Sequence, residues 1–302
     1  MPCDMPGGNV NVNDAPPVAT PVQNPARLPH GTTQDQVNEM ESEGQATKQG
    51  QSPSLPPPAE GSTMPTFLLT LRRRETVAEQ TGAFYFDKPS GFQFVAGQTL
   101  DLTLVNPRET DAEGSTRTFS IASSPEDADL VIATRLRDTA FKRVLNAIPI
   151  GSVLSAEGPG GSFTLDHDAG RPAVFLTGGI GITPFRSIIR EATARNLTES
   201  LWLFYSNTTP EAAAFLDELQ QLADNTPSLH FVPTMTDMAK SARVWRGSTG
   251  LIDREMLSSR LPIHGPRYYI AGPPAMVTAM REMLHQADVS DKDVRSEEFA
   301  GY

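Results

Sequence analysis

Cysteine is nearly absent: the 302 residues hold one, Cys3, so no disulfide can form within the chain and no thiolate-ligated zinc or iron–sulfur site can be built from it. The five histidines, His30, His167, His230, His264 and His285, are scattered without metal-ligand spacing, and no metal site is expected. No stretch approaches the roughly 20 consecutive apolar residues that cross a bilayer, and the opening residues lack the basic start and apolar run of a secretory leader. These absences predict a cytoplasmic protein without membrane insertion. Positive charge is short as well: 25 Lys and Arg face 36 Asp and Glu, for a net charge of −11. That balance disfavours nucleic acid, whose backbone is bound by clustered Lys and Arg.

What is present divides by composition. Residues 1–63 hold 11 of the 26 prolines and no Phe, Trp or Tyr, with two cations against seven carboxylates, a local charge of −5. Nothing there offsets the entropy of ordering the chain, so this reads as a disordered, Pro-rich acidic tail, a spacer or a docking segment. From Thr66 the pattern changes to short strands: 66–71 running on through the solvated triplet Arg72-Arg73-Arg74, then 83–86, 94–104, 117–121, 130–135 and 152–157, with a short helix at 140–147. Strands of this length and spacing, punctuated by Gly91 and Gly97, predict a small antiparallel barrel over 64–168.

Beyond Arg171 the rhythm becomes strand, glycine loop, helix. The apolar run 173–176 is typical of a buried parallel strand, and a helix is expected over 184–194. Strands at 201–205, 230–234, 268–271 and 294–299 follow. Between them a helix is expected from Pro210, capped by Thr209, to about 223, and another from Pro274 to about 286. A doubly wound α/β domain over 169–302 results. Trp202 and Trp245 read as packing residues.

Two strings carry chemistry. Arg117-Thr118-Phe119-Ser120-Ile121-Ala122-Ser123-Ser124-Pro125 places a fixed cation, a ring and hydroxyls within one strand, with Arg117 and Phe119 on one face and Thr118 and Ser120 on the other. A guanidinium pairs with phosphate oxygens and a hydroxyl can bond a flavin ring nitrogen, so the string suits a flavin diphosphate. Leu176-Thr177-Gly178-Gly179-Ile180-Gly181-Ile182-Thr183-Pro184 asks for a pyridine dinucleotide: Gly179 and Gly181 match the fingerprint, while Pro184 stands where its third glycine would be. Thr183 as N-cap would leave the helix's positive end facing a pyrophosphate. The turn Glu157-Gly158-Pro159-Gly160-Gly161-Ser162-Phe163 offers backbone N–H groups to a phosphate, or is a plain turn.

With Ala271-Gly272-Pro273-Pro274-x-Met276, these motifs stand in the order of the ferredoxin reductase-type FAD/NAD(P)-binding flavoprotein superfamily, which residues 64–302 resemble. The flavin reductase modules of bacterial oxygenase systems also share the look of Phe94-x-Ala96-Gly97-Gln98 and of Glu298-Phe299-Ala300-Gly301-Tyr302. The resemblance implies an antiparallel Greek-key FAD barrel followed by a doubly wound NAD(P) domain. It further implies that Arg117 holds the flavin pyrophosphate, with Thr118 and Phe119 beside it, and that Ser120 approaches the hydride-accepting atom. Thr134, Arg135 and Thr139 would run near the diphosphate, and Gly158, Gly161 and Ser162 would form the glycine turn of the flavin site. Gly179, Gly181, Thr183 and Pro184 would bind the dinucleotide, with Gly272 and Pro273 near the nicotinamide. Glu298, Phe299 or Tyr302 would close the flavin's other face, and Ser120, Thr183 and Glu298 would stand at the reacting centre.

The implied cofactors are FAD and NADH or NADPH; NADH is favoured because no basic cluster follows the strand ending Ser206-Asn207-Thr208. The expected activity is transfer of hydride from NAD(P)H to the flavin, and of electrons onward to a separate acceptor protein or a small oxidant, since the chain holds no second redox centre. Two other readings stay open: a diaphorase or ferric or quinone reductase with no protein partner, and a nucleotide-sensing or partner-binding module on the same fold.

Overall fold

The computed structural model describes residues 64–166, 170–261 and 265–299. The expectations for the tail at 1–63, for His167 and His264 and for Tyr302 fall outside them.

β1 (Thr66–Ala78), β2 (Thr81–Asp87), β3 (Thr99–Thr103), β4 (Thr116–Ser120), β5 (Asp129–Arg135), helix α1 (Ala140–Ala147) and β6 (Val153–Gly160) come first. Every pairing among these strands is antiparallel, in the order β4-β3-β6-β1-β2-β5. The two edges meet just past β4, where Ala122 donates its N–H to Val131 O at 2.7 Å and closes the barrel. Leu69, Leu71, Phe84, Phe86, Leu100 and Leu102 fill it, with Phe141 of α1 as a plug. β2 is buried on both faces because Ala83 and Tyr85, pointing outward, pack into a second cluster.

β7 (Ala173–Gly178), α2 (Ile182–Ala194), β8 (Leu201–Asn207), α3 (Leu216–Asn225), β9 (Leu229–Met235), β10 (Ser248–Thr249), α4 (Arg254–Ser258), β11 (Arg267–Gly272), α5 (Pro274–His285) and β12 (Val294–Glu298) form the rest. The sheet is wholly parallel, in the order β10-β9-β8-β7-β11-β12. The second cluster joins Ile182, Phe185 and Ile188 of α2 to Phe175 and Tyr269 of this sheet and to the outer face of β2 and β5. A third covers the opposite face with α4 and α5.

Several expected elements shift, each for a local reason. Within 94–104 only β3 is strand: Gly97 at φ +98° turns the chain, and a Cβ there would lie 2.1 Å from Phe163 O. β6 runs on through Gly158 to Gly160, absorbing half of the expected glycine loop. α2 begins at Ile182 on Gly181 without a side-chain cap, and the Thr183 hydroxyl donates instead to Ile180 O at 3.1 Å. After Thr209, which does not cap, a 3₁₀ turn stops at Ala212, and the helix restarts at Leu216 because Phe215 adopts φ +60° beneath the Arg186 guanidinium. The arginine triplet is not uniformly solvated: Arg74 donates to Asn146 O and Ile148 O at the end of α1, and Arg73 lies over the Tyr85 ring. α4, absent from the sequence expectations, is capped by Asp253, which accepts from Met256 N at 2.7 Å.

Three consecutive-turn residues of α2 bind the barrel. Arg186 donates to Ala122 O and Ser187 to Ser123 O, both at 2.6 Å, and Arg190 grips Asp127 through two bonds of 2.7 and 2.9 Å. Glu218 of α3 accepts from both arginines, at 2.9 Å from Arg186 and 2.8 Å from Arg190. Burial alone would raise the Asp127 pKa, but hydrogen bonds from Arg190 and the Ser124 N–H outweigh it and hold the carboxyl below its usual range. A depressed carboxyl stabilises the fold above the ordinary aspartate value and loses that contribution as pH falls through its folded value. An Asp127→Ala/Arg190→Ala double-mutant cycle, followed by urea unfolding, is expected to give a coupling of about 1 kcal/mol at neutral pH, vanishing in strong acid.

Candidate functional site

The order of the parallel sheet reverses between β7 and β11, so the carboxyl ends of those two strands open a crevice. Gly178 ends one strand and Gly272 the other. A Cβ on Gly181 would come 2.4 Å from Ala271 O, and Gly179 stands at φ +56°, so only glycine lets the loop run this close to β11. No side chain caps α2; Ile182 donates its N–H to Ile180 O and Pro184 has none, so the first turn offers a ligand at most the N–H groups of Thr183 and Phe185. Tyr205 holds the loop, its phenol donating to Gly179 O at 3.0 Å and Ala214 O at 3.2 Å, and burial pushes its pKa up.

Arg135, at the end of β5, brings a barrel cation to this loop. Its guanidinium donates to Ala212 O at 3.5 Å and lies 3.6 Å from where a Cβ on Gly179 would sit. Thr183 and Pro184 are buried in the first turn of α2. Pro273 leads from β11 into α5.

Ser120 ends β4 on the barrel side. It is 3% exposed, and its hydroxyl has no hydrogen-bond partner. The residues after it are pinned: Val131 N donates to Ser123 Oγ at 3.0 Å, while Ala122 O and Ser123 O receive α2. Arg117 and Phe119 share a face as expected, both against Phe141, with the guanidinium 5.2 Å from that ring and the Phe119 ring 5.9 Å away. Thr118 turns outward to Asp101. Arg117 also donates to the carbonyls of Glu113, Gly114 and Thr116 and pairs with the carboxylates of Asp111 and Glu113. Thr139 caps α1, accepting from Lys142 N at 3.4 Å, and Thr134 is buried in β5.

The structure thus gathers Arg117, Phe119 and Thr139 around the start of α1, and Arg135, Gly179, Gly181 and Gly272 around the crevice, with Ser120 on the segment that joins them. Gly158 lies within β6, its N–H spent on Pro65 O, while Gly161 accepts from Gln98 and Ser162 is exposed. Phe299 donates its N–H to Gly272 O at 3.0 Å and packs into the cluster that contains Ile182. Alternation along β12 places Glu297, not Glu298, on the face of Arg295 and Phe299; Glu298 is exposed. Glu297 Oε2 is buried without a hydrogen bond, and burial pushes its pKa up. The period-2 spacing from Arg295 would have signalled it. Asn207, at the end of β8, has a buried amide that makes no hydrogen bond of good geometry, and it lies beside the Tyr205 phenol, whose pKa it draws down against the burial that raises it.

Comparison with known proteins agrees with this arrangement. The model of the oxidoreductase NAD-binding domain matches residues 175–282. A ferredoxin–NADP reductase B of Sorangium cellulosum is 29% identical over 71% of the chain and 89% of its own length. The glycine betaine monooxygenase reductase subunit of Chromohalobacter salexigens is 30% identical over 70% of the chain, but only 57% of that protein is covered. The reductase component of propane 2-monooxygenase from Rhodococcus jostii is 28% identical, with 55% of it covered, so the chain spans little more than half of these two relatives. In fold, the chain is similar to a cytochrome P450 reductase of Amycolatopsis, with a TM-score of 0.66 and 24% identity over 78% of the chain and 71% of that structure.

Because the Ser120 hydroxyl has no partner, Ser120→Ala in protein stripped of small molecules is expected to keep or raise its melting temperature, the gain being up to about 1 kcal/mol; a lower melting temperature would make that hydroxyl a structural bond. The motifs, the two sheets and the relatives converge: residues 64–299 resemble the ferredoxin reductase-type superfamily of FAD- and NAD(P)-binding flavoproteins, and residues 175–282 match the oxidoreductase NAD-binding domain.

Proposed function

We propose that this chain is an FAD-dependent oxidoreductase that takes hydride from NAD(P)H, with NADH favoured, and passes electrons to a separate acceptor. The observation that carries the reading is Ser120: a buried hydroxyl without a partner, one residue from the segment bolted to the helix behind the dinucleotide loop. Such an orphan fits a polar ring atom of a flavin. When bound, FAD supplies two-electron acceptance and one-electron release, which is why no acid–base dyad is needed.

The chain's own residues supply binding and position. Ser120 holds the flavin ring by its hydroxyl, Phe119 lies beside it, and Arg117 with the first N–H groups of α1 holds the flavin diphosphate. Residues 64–168 serve as the FAD domain and 169–302 as the NAD(P) domain. Gly179 and Gly181 let a dinucleotide diphosphate approach the backbone, while the uncapped start of α2 and Arg135 offset its charge. Gly272 and Pro273 bound the nicotinamide end, and Phe299 shields it from water. Asn207 supplies a neutral amide for the adenosine ribose; the end of β8 carries no cation for a 2′-phosphate, which supports NADH.

The names of the relatives, reductases of ferredoxin and of oxygenase systems, support a protein acceptor. No helix among the described residues is long and apolar enough to cross a membrane. Anaerobic titration with NADH and then NADPH tests the reading: the flavin absorbance is expected to bleach at lower concentrations of NADH, and FAD to be released on denaturation. Protein that takes up no flavin, or whose flavin neither nucleotide reduces, would overturn it. Arg135→Ala is expected to raise KM for the nucleotide about tenfold while FAD content stays unchanged.

A further inference from the structure

The β3–β4 connection carries Glu109, Asp111 and Glu113 at alternate positions: Glu109 and Asp111 are committed to donors of α1, and Asp111 and Glu113 to Arg117 of β4. Asp111 accepts the Ala140 N–H at 3.0 Å and pairs with Arg117 at 3.3 Å; Glu113 pairs with Arg117 at 2.7 Å. Glu109 takes Arg143 of α1 through two bonds of 3.0 and 2.8 Å. Burial pulls the Asp111 pKa upward, but the N–H groups of Ala140 and Glu113 and the charge of Arg117 outweigh it, so the carboxylate is ionised at neutral pH. Burial and the charges of Arg137 and Arg117 also lower the pKa of nearby Lys142, the mark of a positive field that the carboxylates quench.

An ionised carboxylate on a guanidinium and a helix-start N–H occupies the place and the charge of a phosphate oxygen. The connection is anchored at its base by Leu104 N to Ser115 O at 2.9 Å. At its tip Gly114 stands at φ +76° with open space beside it, its N–H on Asp111 O at 3.0 Å and its carbonyl on Arg117 at 3.1 Å.

We propose that this acidic connection is a resident anion that competes with the flavin diphosphate, Asp111 and Glu113 holding Arg117 and the Ala140 N–H until the flavin displaces them. The inference rests on the flavin reading given above. It makes the ring contacts, rather than the diphosphate, the main source of flavin affinity, and makes the flavin exchangeable.

Flavin-stripped protein titrated with FAD and with riboflavin, which has no phosphate, tests this by fluorescence. Asp111→Asn/Glu113→Gln removes both charges and keeps the shape. The double variant is expected to bind FAD about tenfold more tightly than the parent, to bind riboflavin equally well, and to melt lower when flavin-free. A purely structural connection would weaken FAD binding and stability together. Unchanged or weaker FAD binding, or equal tightening for both flavins, overturns the proposal. Glu113→Gln alone, at a side chain 69% exposed, covers failure of the double variant to fold and is expected to tighten FAD about threefold. A parent that binds neither flavin would overturn the functional reading and this proposal with it; a parent that binds FAD beside a variant that binds it no better overturns this proposal alone.

Discussion

The structure turns on one buried cation. Arg186, 5% exposed, cannot be left without partners at low dielectric, and it finds them in two places at once: the Ala122 carbonyl of the barrel and the Glu218 carboxylate of α3. Ser187 and Arg190, further along the same helix, add bonds to the Ser123 carbonyl and the Asp127 carboxylate. Because a guanidinium forms a fixed planar fork, these bonds set an angle as well as a distance. The end of β4 is thereby registered against α2, and everything attached to either follows: Ser120 on one side, the Gly179–Gly181 turn on the other.

Apolar packing alone would not give that register. The cluster between the barrel and α2 is built from Ala83, Tyr85 and Val131 against Ile182, Phe185 and Ile188, and such surfaces tolerate sliding at small cost. Directional bonds to backbone carbonyls do not. Burying polar groups at this seam therefore serves geometry, and the apolar cluster supplies the attraction.

Much of the architecture was legible from local signals. The change from short punctuated strands to strand, glycine loop and helix marks the passage from barrel to doubly wound sheet, and the spacing of Arg117, Phe119 and Ser120 shows which side chains share a face. What stayed hidden depends on distant partners. Arg186 and Arg190 read as ordinary basic residues at helical spacing, since nothing nearby reveals that Ala122, Asp127 and Glu218 wait for them. Thr183 has the look of a cap because it precedes Pro184, but Gly181 turns early and leaves its hydroxyl inside the helix. Arg135 reads as part of the barrel's own diphosphate region; its reach to Gly179 appears only once β5 is placed against the second sheet. Glu297 is recoverable from alternation, two residues from both Arg295 and Phe299.

The double service of α2 has a thermodynamic consequence. One rigid helix presents its N-terminus to the crevice proposed for the dinucleotide and, within two turns, its side chains to the segment that follows Ser120. With flavin and dinucleotide at the proposed sites, any displacement that one imposes on this helix is felt at the other's position. The two occupancies are then conjugate variables: whatever factor the first contributes to the affinity of the second, the second returns to the first, with the same sign and size.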